Sequence, residues 1–347
     1  MPPEGHARDG GTRHSREHET VDGVDDSPRR RPHATLPQPV VPLSRYGGGM
    51  TQSDWTAADL PDLTGRNVVI TGANSGIGLA AAQAFSEHGA RVILAVRDRG
   101  RGTEAARTLP GAVDVRELDL ASLDSVRSFG DRWTEEIHLL INNAGIMAPP
   151  LALTVDGFES QFGTNHLGHF ALTNLLLPQV TGRVVTVSSL AHRAGKIDFD
   201  DPNWSSRRYR RWEAYGQSKL ANLLFTLELQ RRLEAAGSAV LATAAHPGWA
   251  ATNLQARSAS RFENAVMTLG NRWFAQDAAG GALPTLYAAT ADVPGAAFAG
   301  PSRRGGMIGA PILAPRSATA SDAGLAARLW TASENLTGVT FPLREPR

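Results

Sequence analysis

Six short apolar runs limit the folds open to this chain of 347 residues more than any other feature. Each run is rich in valine, isoleucine, leucine or alanine, and longer helix-compatible stretches lie between them. The runs are residues 67–71, 91–96, 113–118, 139–142, 183–188 and 239–245. Strands that alternate with helices form right-handed βαβ units, and strands that are apolar throughout fit a parallel sheet covered on both faces. The sequence therefore predicts a single doubly wound α/β domain with a central, mainly parallel sheet and helices on both faces.

Composition excludes several functional classes. The chain has no cysteine, which rules out disulfides, thiolate metal sites and cysteine nucleophiles. Its net charge of +1 offers no basic excess for binding nucleic acid. The apolar runs stay below the roughly 18 residues that a membrane-spanning helix needs. We therefore expect a globular, cytoplasmic protein without a membrane span.

Residues 1–49 differ in composition from the rest of the chain. They contain four of the ten histidines, the run Arg29-Arg30-Arg31 and many prolines, and they lack periodic apolar positions. Such a segment cannot bury enough apolar surface to fold, so we predict a disordered N-terminal extension. The folded domain is predicted to span residues 50–347. Met50 begins a segment that looks like a natural start, and our hypothesis is that translation begins there.

A glycine-rich turn follows the first apolar run directly. Residues 71–78 read Thr-Gly-Ala-Asn-Ser-Gly-Ile-Gly, and a helix is predicted over residues 78–88. Glycines let the backbone approach a pyrophosphate, which the N–H groups and positive end of the helix then bind. Any tight strand-to-helix connection also uses glycine, but the position after the first strand favours a dinucleotide site. The predicted contacts are Gly72, Asn74, Ser75, Gly76, Ile77 and Gly78.

The end of the second apolar run bears on which dinucleotide binds. The adenosine ribose of a dinucleotide lies at the tip of this strand, where an acidic residue would bind the hydroxyls of NAD. Here the tip carries Arg97, whose guanidinium fork suits the 2′-phosphate of NADP. Asp98 lies one residue later and could reach a ribose hydroxyl, so NADP is favoured and NAD stays possible. The alternative is that Arg97, Arg99 and Arg101 form a solvated surface cluster.

Tyr215 and Lys219 stand out because the chain has only two lysines, the other being Lys196, against 33 arginines. On a helix the two side chains lie one above the other on the same face. An ammonium there favours the phenolate and lowers the pKa of the tyrosine, which eases proton transfer near neutral pH. The alternative is an ordinary surface pair at this spacing.

Together these motifs resemble the short-chain dehydrogenase/reductase family from about residue 60 to the end of the chain. Residues 71–78 are similar to its TGxxxGIG turn, and residues 142–145 (Asn-Asn-Ala-Gly) to its NNAG signature. The resemblance implies a Rossmann-type domain with a catalytic tetrad formed by Asn165, Ser189, Tyr215 and Lys219. It also implies further cofactor contacts from Asp119, Leu120, Asn143, Ala144, Gly145, Tyr215, Lys219, Pro247, Gly248 and Thr252.

Within that family, the chain is most similar to retinol dehydrogenase-like and light-dependent protochlorophyllide reductase-like members. Segments 165–170 (Asn-His-Leu-Gly-His-Phe) and 189–192 (Ser-Leu-Ala-His) carry this likeness, with the long gap between Ser189 and Tyr215. Animal members of that group usually have a membrane-anchoring helix, which we do not expect here. The loop at 305–308 (Gly-Gly-Met-Ile) also departs from the more polar loops of related chains. These departures leave substrate and location open.

The resemblance implies hydride transfer between NADP(H) and a carbonyl or alcohol, with Tyr215 as general acid or base. Ser189 and Tyr215 would bond the carbonyl oxygen, Lys219 the nicotinamide ribose, and Asn165 a water in a proton relay. By the same likeness, residues 249–275 form a lid, whose apolar side chains hint at a lipophilic small molecule. The apolar stripe of residues 217–233 resembles the family's subunit contact and implies a homodimer or homotetramer.

Several of these motifs admit other interpretations. His166 and His169 could form a metal pair, but no carboxylate joins them at a matching spacing, so packing or capping is favoured and no metal is predicted. The arginine-rich stretch 207–211 could bind nucleic acid, although neighbouring acids favour a salt-bridged insertion. A non-catalytic NAD(P)-binding regulator would dispense with the tetrad. A sugar-nucleotide epimerase would show a TGxxGxxG turn and a larger C-terminal domain, and neither is seen.

Overall fold

The computed structural model of the protein describes residues 55–248 and 277–343. Four predictions concern parts of the chain outside these residues: the extension 1–49, the start at Met50, the lid 249–275 and the cofactor contact Thr252. Within the described part, the chain forms an eight-stranded sheet in the order β3-β2-β1-β4-β5-β6-β7-β8. The strands are β1 Asn67–Thr71, β2 Arg91–Val96, β3 Val113–Glu117, β4 Ile137–Asn142, β5 Val180–Val187, β6 Leu241–Ala245, β7 Phe298–Arg303 and β8 Ile308–Leu313.

Strands β1 to β7 run parallel, and β8 pairs antiparallel with β7 at one edge. The α-helices are α1 Gly76–Glu87, α2 Arg99–Ala106, α3 Leu123–Asp131, α4 Ser160–Phe162, α5 Gly168–Leu176, α6 Arg211–Ala235, α7 Ala278–Thr290 and α8 Ala323–Thr337. A π-helical turn, Gly163–Leu167, joins α4 to α5. Short 3-10 turns lie at Ala57–Asp59, Leu177–Gln179, Leu190–Ala194 and Thr319–Ser321.

Polar side chains fix where several helices begin. Ser122, Asp277 and Asp322 each precede a helix and accept a hydrogen bond from a backbone N–H three residues on, at 3.3, 2.7 and 2.9 Å. Such caps satisfy donors that the first helical turn leaves unpaired, and each is worth about 1 kcal/mol. The start of α1 differs, since the side chain of its N-cap residue Ser75 makes no capping bond.

The sheet is covered on both faces by apolar side chains. One layer includes Phe85 of α1 and Leu286 of α7, packed on strand residues such as Ile70. The other layer includes helices α5, α6 and α8, with Phe170, Leu224 and Trp330 among its members. Burial on both faces explains why the strands β1, β2 and β4 are apolar along most of their length.

The order of the strands places a crevice at the centre of the sheet. The chain moves outward from β1 through β2 to β3, then returns to pair β4 on the other side of β1. At such a switch point the connections leave the strand ends in opposite directions, and ligands bind outside the carboxyl ends. The segments after β1 and β4 both begin at this point. The glycine turn and the Asn-Asn-Ala-Gly motif therefore meet.

The predicted fold class is confirmed by this sheet. Two predicted strands, 67–71 and 91–96, match the observed bounds, and the other four shift by one to three residues at their ends. Strands β7 and β8 were missed, because both contain glycine and proline, which favour turns over strand interiors. The loop at 305–308 is the turn of this terminal hairpin and the start of β8.

Helix α6 bears on the predicted oligomer. Its apolar residues Leu220, Leu224 and Leu229 are fully buried within the chain, and Phe225 stacks on Trp330 of α8 at 5.7 Å between ring centroids. The chain's own C-terminal helix therefore packs on the stripe that suggested a subunit contact. A homodimer or homotetramer stays a prediction that this stripe no longer supports. Among helices of the described residues, none is both long and apolar enough to cross a membrane.

Candidate functional site

A cavity of about 490 Å³ opens at the carboxyl ends of the central strands. Most of the predicted cofactor contacts line it. These are Gly72, Asn74, Ser75, Gly76, Ile77, Gly78, Arg97, Asp119, Leu120, Asn143, Ala144, Gly145, Tyr215, Lys219 and Pro247. Gly248, Asn165 and Ser189 lie beside this lining rather than in it, and Thr252 is outside the described residues. The motifs that the sequence placed apart therefore converge on one cavity.

The glycine turn forms the floor of the cavity. Gly72 and Gly76 have φ of 65° and 57°, in the left-handed region that favours glycine. A Cβ on Gly78 would lie 2.5 Å from Asn143 Nδ2 and 2.8 Å from the Gly72 oxygen, so only glycine fits between these elements. Because no Ser75 side-chain cap occupies the first turn of α1, its N–H groups can bind an anion. The turn fits the pyrophosphate of a dinucleotide.

Thr71, the last residue of β1, ties this turn to the Asn-Asn-Ala-Gly motif. Its Oγ1 accepts hydrogen bonds from the backbone N–H groups of Asn143 and Ala144, both at 2.9 Å. In return, Asn143 Nδ2 donates to the backbone oxygen of Thr71 at 2.8 Å. Sequence reasoning treated Thr71 only as part of the glycine motif. The structure makes it the residue that joins the two cofactor segments.

The end of the cavity beside the tip of β2, where the adenosine of a dinucleotide is expected, combines basic and acidic side chains. Arg97, Asp98 and Arg101 line it, and all three are exposed. Asp98 Oδ1 accepts a hydrogen bond from the Arg101 N–H at 3.0 Å and so caps α2. Asp119 also uses its carboxylate locally, accepting from the Ala121 N–H at 2.9 Å. The Asp98 carboxylate is therefore engaged as the cap of α2, whereas Arg97 has no capping role.

Tyr215 and Lys219 lie on α6 with their side chains at the inner end of the cavity. The Ser189 side chain interacts with the Tyr215 phenol and favours its ionised form, but burial outweighs this and raises the Tyr215 pKa to about 12. The Lys219 Nζ donates to the Val187 oxygen at 3.1 Å and lies 5.8 Å from the centroid of the Tyr215 ring. Burial lowers the Lys219 pKa to about 8.

The direction of the Tyr215 shift corrects a sequence expectation. The spacing predicted that the Lys219 ammonium lowers the tyrosine's pKa below its ordinary value. In the structure, burial is the largest cause and acts in the opposite direction. Desolvation disfavours the charged phenolate, and one ammonium 5.8 Å from the ring does not reverse this.

Asn165 lies in the π-helical turn and is fully buried. Its side-chain Nδ2 donates to the Ile146 oxygen at 2.9 Å and to Ser218 Oγ at 3.0 Å, while Oδ1 accepts from the Ile146 N–H at 2.8 Å. A Cβ on Gly145 would lie 3.1 Å from Asn165 Oδ1 and 3.4 Å from Lys219 Nζ. Both side chains therefore lie directly behind this glycine. π-Helical turns of this kind are frequent at functional sites.

Ser189 follows β5 and begins a 3-10 turn. Its Oγ accepts from the Ala191 N–H at 3.2 Å, and His192 Nδ1 donates to its backbone oxygen at 2.7 Å. These bonds fix the residue beside Tyr215. Gly248 lies near the β7–β8 hairpin, where a Cβ would meet Pro301 Cγ at 2.8 Å.

The wall that follows the Asn-Asn-Ala-Gly motif was not predicted. Ile146, Met147, Pro149 and Ala152 line the cavity and are mostly apolar. Their position directly after a cofactor motif was the one sequence signal that could have indicated them. They give the cavity an apolar side next to Gly145.

A buried polar network holds this wall. Gln161 Oε1 accepts from the Ala148 N–H at 2.9 Å, and Gln161 Nε2 donates to the Tyr209 hydroxyl at 2.8 Å. That hydroxyl donates to Glu159 Oε1 at 2.9 Å. Burial raises the pKa of both Glu159 and Tyr209. The insertion before α6 therefore buttresses the cavity through Tyr209.

Two arginines of that insertion, Arg207 and Arg210, are paired with acids. Arg207 Nη1 lies 3.0 Å from Asp198 Oδ2, and its guanidinium stacks 3.7 Å from the centroid of the Trp204 ring. Arg210 pairs with Glu213 at 3.0 Å. This agrees with the prediction of a salt-bridged insertion over a nucleic-acid surface.

The two histidines of segment 165–170 have packing partners. His166 Nε2 lies 2.8 Å from Ser333 Oγ, and His169 bonds Thr71 and Asn165. Burial lowers their pKa values to about 3 and about 4. Across residues 55–248 and 277–343, no group of three or more histidine or acidic side chains could hold a metal ion.

Comparisons with known proteins agree with this geometry. The family model described as short chain dehydrogenase matches residues 66–262. Human retinol dehydrogenase 13 is 44% identical over 301 residues, which cover 81% of this chain and 87% of that protein. The crystal structure of an uncharacterized protein from Mycobacterium paratuberculosis is 57% identical with a TM-score of 0.74, covering 83% of this chain and 99% of the other.

A more distant structure carries a cofactor. The NAD(P)-dependent gluconate 5-dehydrogenase from Beutenbergia cavernae, solved with bound NADP, is 27% identical with a TM-score of 0.50. The match covers 66% of this chain and 91% of that one. Since the family model spans more than half of the sequence, the chain belongs to the short-chain dehydrogenase family and is an oxidoreductase that acts on small alcohol or carbonyl substrates with a nicotinamide cofactor.

Proposed function

We propose that this protein reduces a lipophilic carbonyl, or oxidises the matching alcohol, with NADP(H) as cofactor and Tyr215 as general acid or base. The observation that carries this is the position of Tyr215, which interacts with the Ser189 side chain and lines the same cavity as the glycine turn. Lys219 lies on the same helix one turn away and lines that cavity too.

The residues divide the chemistry between them. Bound nicotinamide supplies or accepts the hydride. Ser189 and Tyr215 donate hydrogen bonds to the carbonyl oxygen, where negative charge grows, and each such donor is worth roughly 3 kcal/mol in the transition state. Tyr215 then transfers its proton to that oxygen. Lys219 and Asn165, both against Gly145, hold the path by which the phenol regains a proton.

The pKa values favour reduction near neutral pH. With a pKa of about 12, the Tyr215 phenol is protonated and ready to donate. With a pKa of about 8, Lys219 is mainly an ammonium at pH 7. Its charge stabilises the phenolate that forms when Tyr215 gives up the proton. Oxidation of an alcohol needs Tyr215 in its deprotonated form, so this direction is favoured at higher pH.

The preference for NADP rests on two guanidinium groups. Arg97 and Arg101 line the adenosine end, while the Asp98 carboxylate is held as the cap of α2. A 2′-phosphate would meet two cations and one engaged carboxylate. Charge-assisted bonds to phosphate are about twice as strong as neutral ones.

The substrate class follows from the unpredicted wall. Ile146, Met147, Pro149 and Ala152 present apolar groups to the cavity near the tetrad. Apolar walls with a few polar groups are typical of sites for lipophilic molecules. The human relative is named for retinol, an apolar alcohol, and we infer a substrate of similar polarity here.

The test is a titration of NADPH and NADH followed by a panel of apolar aldehydes and ketones, monitored by the loss of NADPH absorbance. We expect tighter binding of NADPH and turnover of the apolar carbonyls. Binding without turnover of any carbonyl or alcohol would favour a non-catalytic NAD(P)-binding regulator. Cytoplasmic location and oligomeric state stay predictions, which fractionation of cells and light scattering of the purified protein can check.

A further inference from the structure

His169 is a fully buried histidine whose two ring nitrogens both have partners. Its Nδ1 lies 3.0 Å from the backbone oxygen of Asn165, four residues earlier. Its Nε2 lies 2.8 Å from Thr71 Oγ1, at the end of β1. One side chain therefore bridges the tetrad residue Asn165 and the residue that joins the two cofactor segments.

The hydrogen bonds of Thr71 decide the protonation of His169. Thr71 Oγ1 already accepts from the N–H groups of Asn143 and Ala144, which occupy both of its lone pairs. Its own proton must be donated, and His169 Nε2 at 2.8 Å is nearer than the Ile141 oxygen at 3.4 Å. Nε2 is thus an acceptor without a proton. The single proton of a neutral ring then lies on Nδ1, as the Asn165 oxygen requires.

The surroundings keep this ring neutral. Burial is the main cause that lowers the His169 pKa to about 4, and the Lys219 charge adds to it. A positive ring would also confront the Lys219 ammonium and lose its acceptor for the Thr71 proton. The ring therefore holds one tautomer over the working pH range.

We propose that His169 is a positioning residue whose Nδ1–H holds the Asn165 backbone carbonyl, and thereby keeps Asn165 in place for the proton relay. The proposal rests on the proposed function, since it assigns Asn165 to the relay. Asn165 is then held from two directions, its side chain by Ile146 and Ser218 and its backbone oxygen by His169. Displacement of this kind at a reacting group can lower a rate by up to about 100-fold.

Two substitutions separate the two bonds of His169. Asn174 on the same helix shows that an asparagine can donate to the oxygen four residues earlier, since its Nδ2 lies 2.9 Å from the Phe170 oxygen. His169→Asn therefore keeps the bond to Asn165 and releases Thr71, whose proton can turn to Ile141. His169→Gln places its amide near Thr71 and loses the bond to Asn165.

We expect His169→Gln to lower kcat by about 10- to 100-fold with an unchanged Kd for NADPH, and His169→Asn to retain most of kcat. The matched control is His166→Gln, a buried histidine of the same segment that bonds Ser333 instead. Its kcat should stay at the wild-type level. Equal loss in His169→Asn and His169→Gln, or equal loss in the His166 control, would overturn the proposal, because either result indicates general loosening of the helix.

A spectroscopic readout tests the tautomer without turnover. Nitrogen-15 NMR of the histidine rings, assigned by the signals lost in His169→Gln, should show a proton on Nδ1 and none on Nε2, without titration from pH 5.5 to 8. A proton on Nε2 would overturn the assignment. Tyr215→Phe separates this inference from the proposed function. If Tyr215→Phe abolishes turnover while His169→Gln is fully active, only the role of His169 fails; if Tyr215→Phe is active, the proposed function fails.

Discussion

Replacing Lys219 by methionine should stabilise the protein at neutral pH while it removes activity. The side chain is 4% exposed, and burial lowers its pKa from 10.5 to about 8. At about 1.4 kcal/mol per pKa unit, holding the proton in the folded protein costs about 3 kcal/mol. The hydrogen bond from Lys219 to Val187, worth about 1 kcal/mol, is lost in Lys219→Met. The net expectation is a variant about 2 kcal/mol more stable at pH 7.

The carbonyl of Val187 is not left unpaired by this change. Asn222 Nδ2 donates to the same oxygen at 3.0 Å, so the Val187 carbonyl keeps a hydrogen-bond donor when Lys219 is replaced. Methionine also resembles the lysine stem in length, and it fills the buried space without a charge. The stabilisation therefore reports the desolvation of the ammonium rather than a repaired packing defect.

The pKa shift of Lys219 also predicts how the free energy of unfolding changes with pH. Because the folded-state pKa of Lys219 lies below the unfolded value, the unfolded chain binds more protons between pH 8 and 10.5. The free energy of unfolding should therefore rise through this window, by about 2 kcal/mol from pH 7 to 9.5. Tyr215, with a pKa raised to about 12, has the opposite effect at higher pH, so measurements stop at 9.5.

The assay is urea unfolding at pH 7.0 and 9.5 for the wild type, Lys219→Met and Lys196→Met. Lys196 is the chain's other lysine and is exposed, so its variant should keep the wild-type stability and pH dependence. Lys219→Met should lack the rise that the other two proteins share. The reasoning is refuted if Lys219→Met is less stable than the wild type at pH 7, or if all three proteins respond alike to pH.

Three further predictions concern the cofactor cradle and the core. Arg97→Ala should weaken NADPH binding about 10-fold or more and leave NADH binding unchanged, because it removes one charged bond to the 2′-phosphate; fluorescence titration measures both. Gly78→Ala should weaken both cofactors together, since its Cβ would press on Asn143 and the Gly72 oxygen; an effect on NADPH alone would contradict this. Trp330→Ala should cost about 3–5 kcal/mol in urea unfolding, because the buried ring packs on Phe170 and Phe225.

The sequence predicted the parts of the fold that local patterns determine. The apolar runs located strands β1 to β6, and most clearly the central ones, because both faces of the sheet are buried there and buried strands need no polar alternation. The terminal hairpin β7–β8 was not predicted, because Gly300 and Pro301 in β7 are residues typical of turns. At this edge, tertiary packing against β6 rather than local preference makes the strand.

The features of the site also divide into those that local sequence motifs predict and those that depend on tertiary packing. Motif residues such as Gly72 and Tyr215 were predicted by type and spacing, and they meet at the cavity. The bonds of His169 to Thr71 span 98 residues, and no local pattern encodes them. The sign of the Tyr215 pKa shift depends on burial, which follows from packing and not from the pairing with Lys219. The apolar wall at Ile146 and Met147 could be located only from the three-dimensional path of the chain after β4.

The central claim, that Tyr215 donates the proton, is tested most directly by single-turnover oxidation of NADPH in Tyr215→Phe with a saturating apolar carbonyl. General acid catalysis typically contributes about 10²- to 10⁴-fold, and the account predicts a loss of that size with an unchanged Kd for NADPH. Tyr287→Phe, a buried tyrosine packed on Trp55 away from the cavity, serves as the matched control and should keep the wild-type rate. A Tyr215→Phe rate close to that of the wild type would contradict the account.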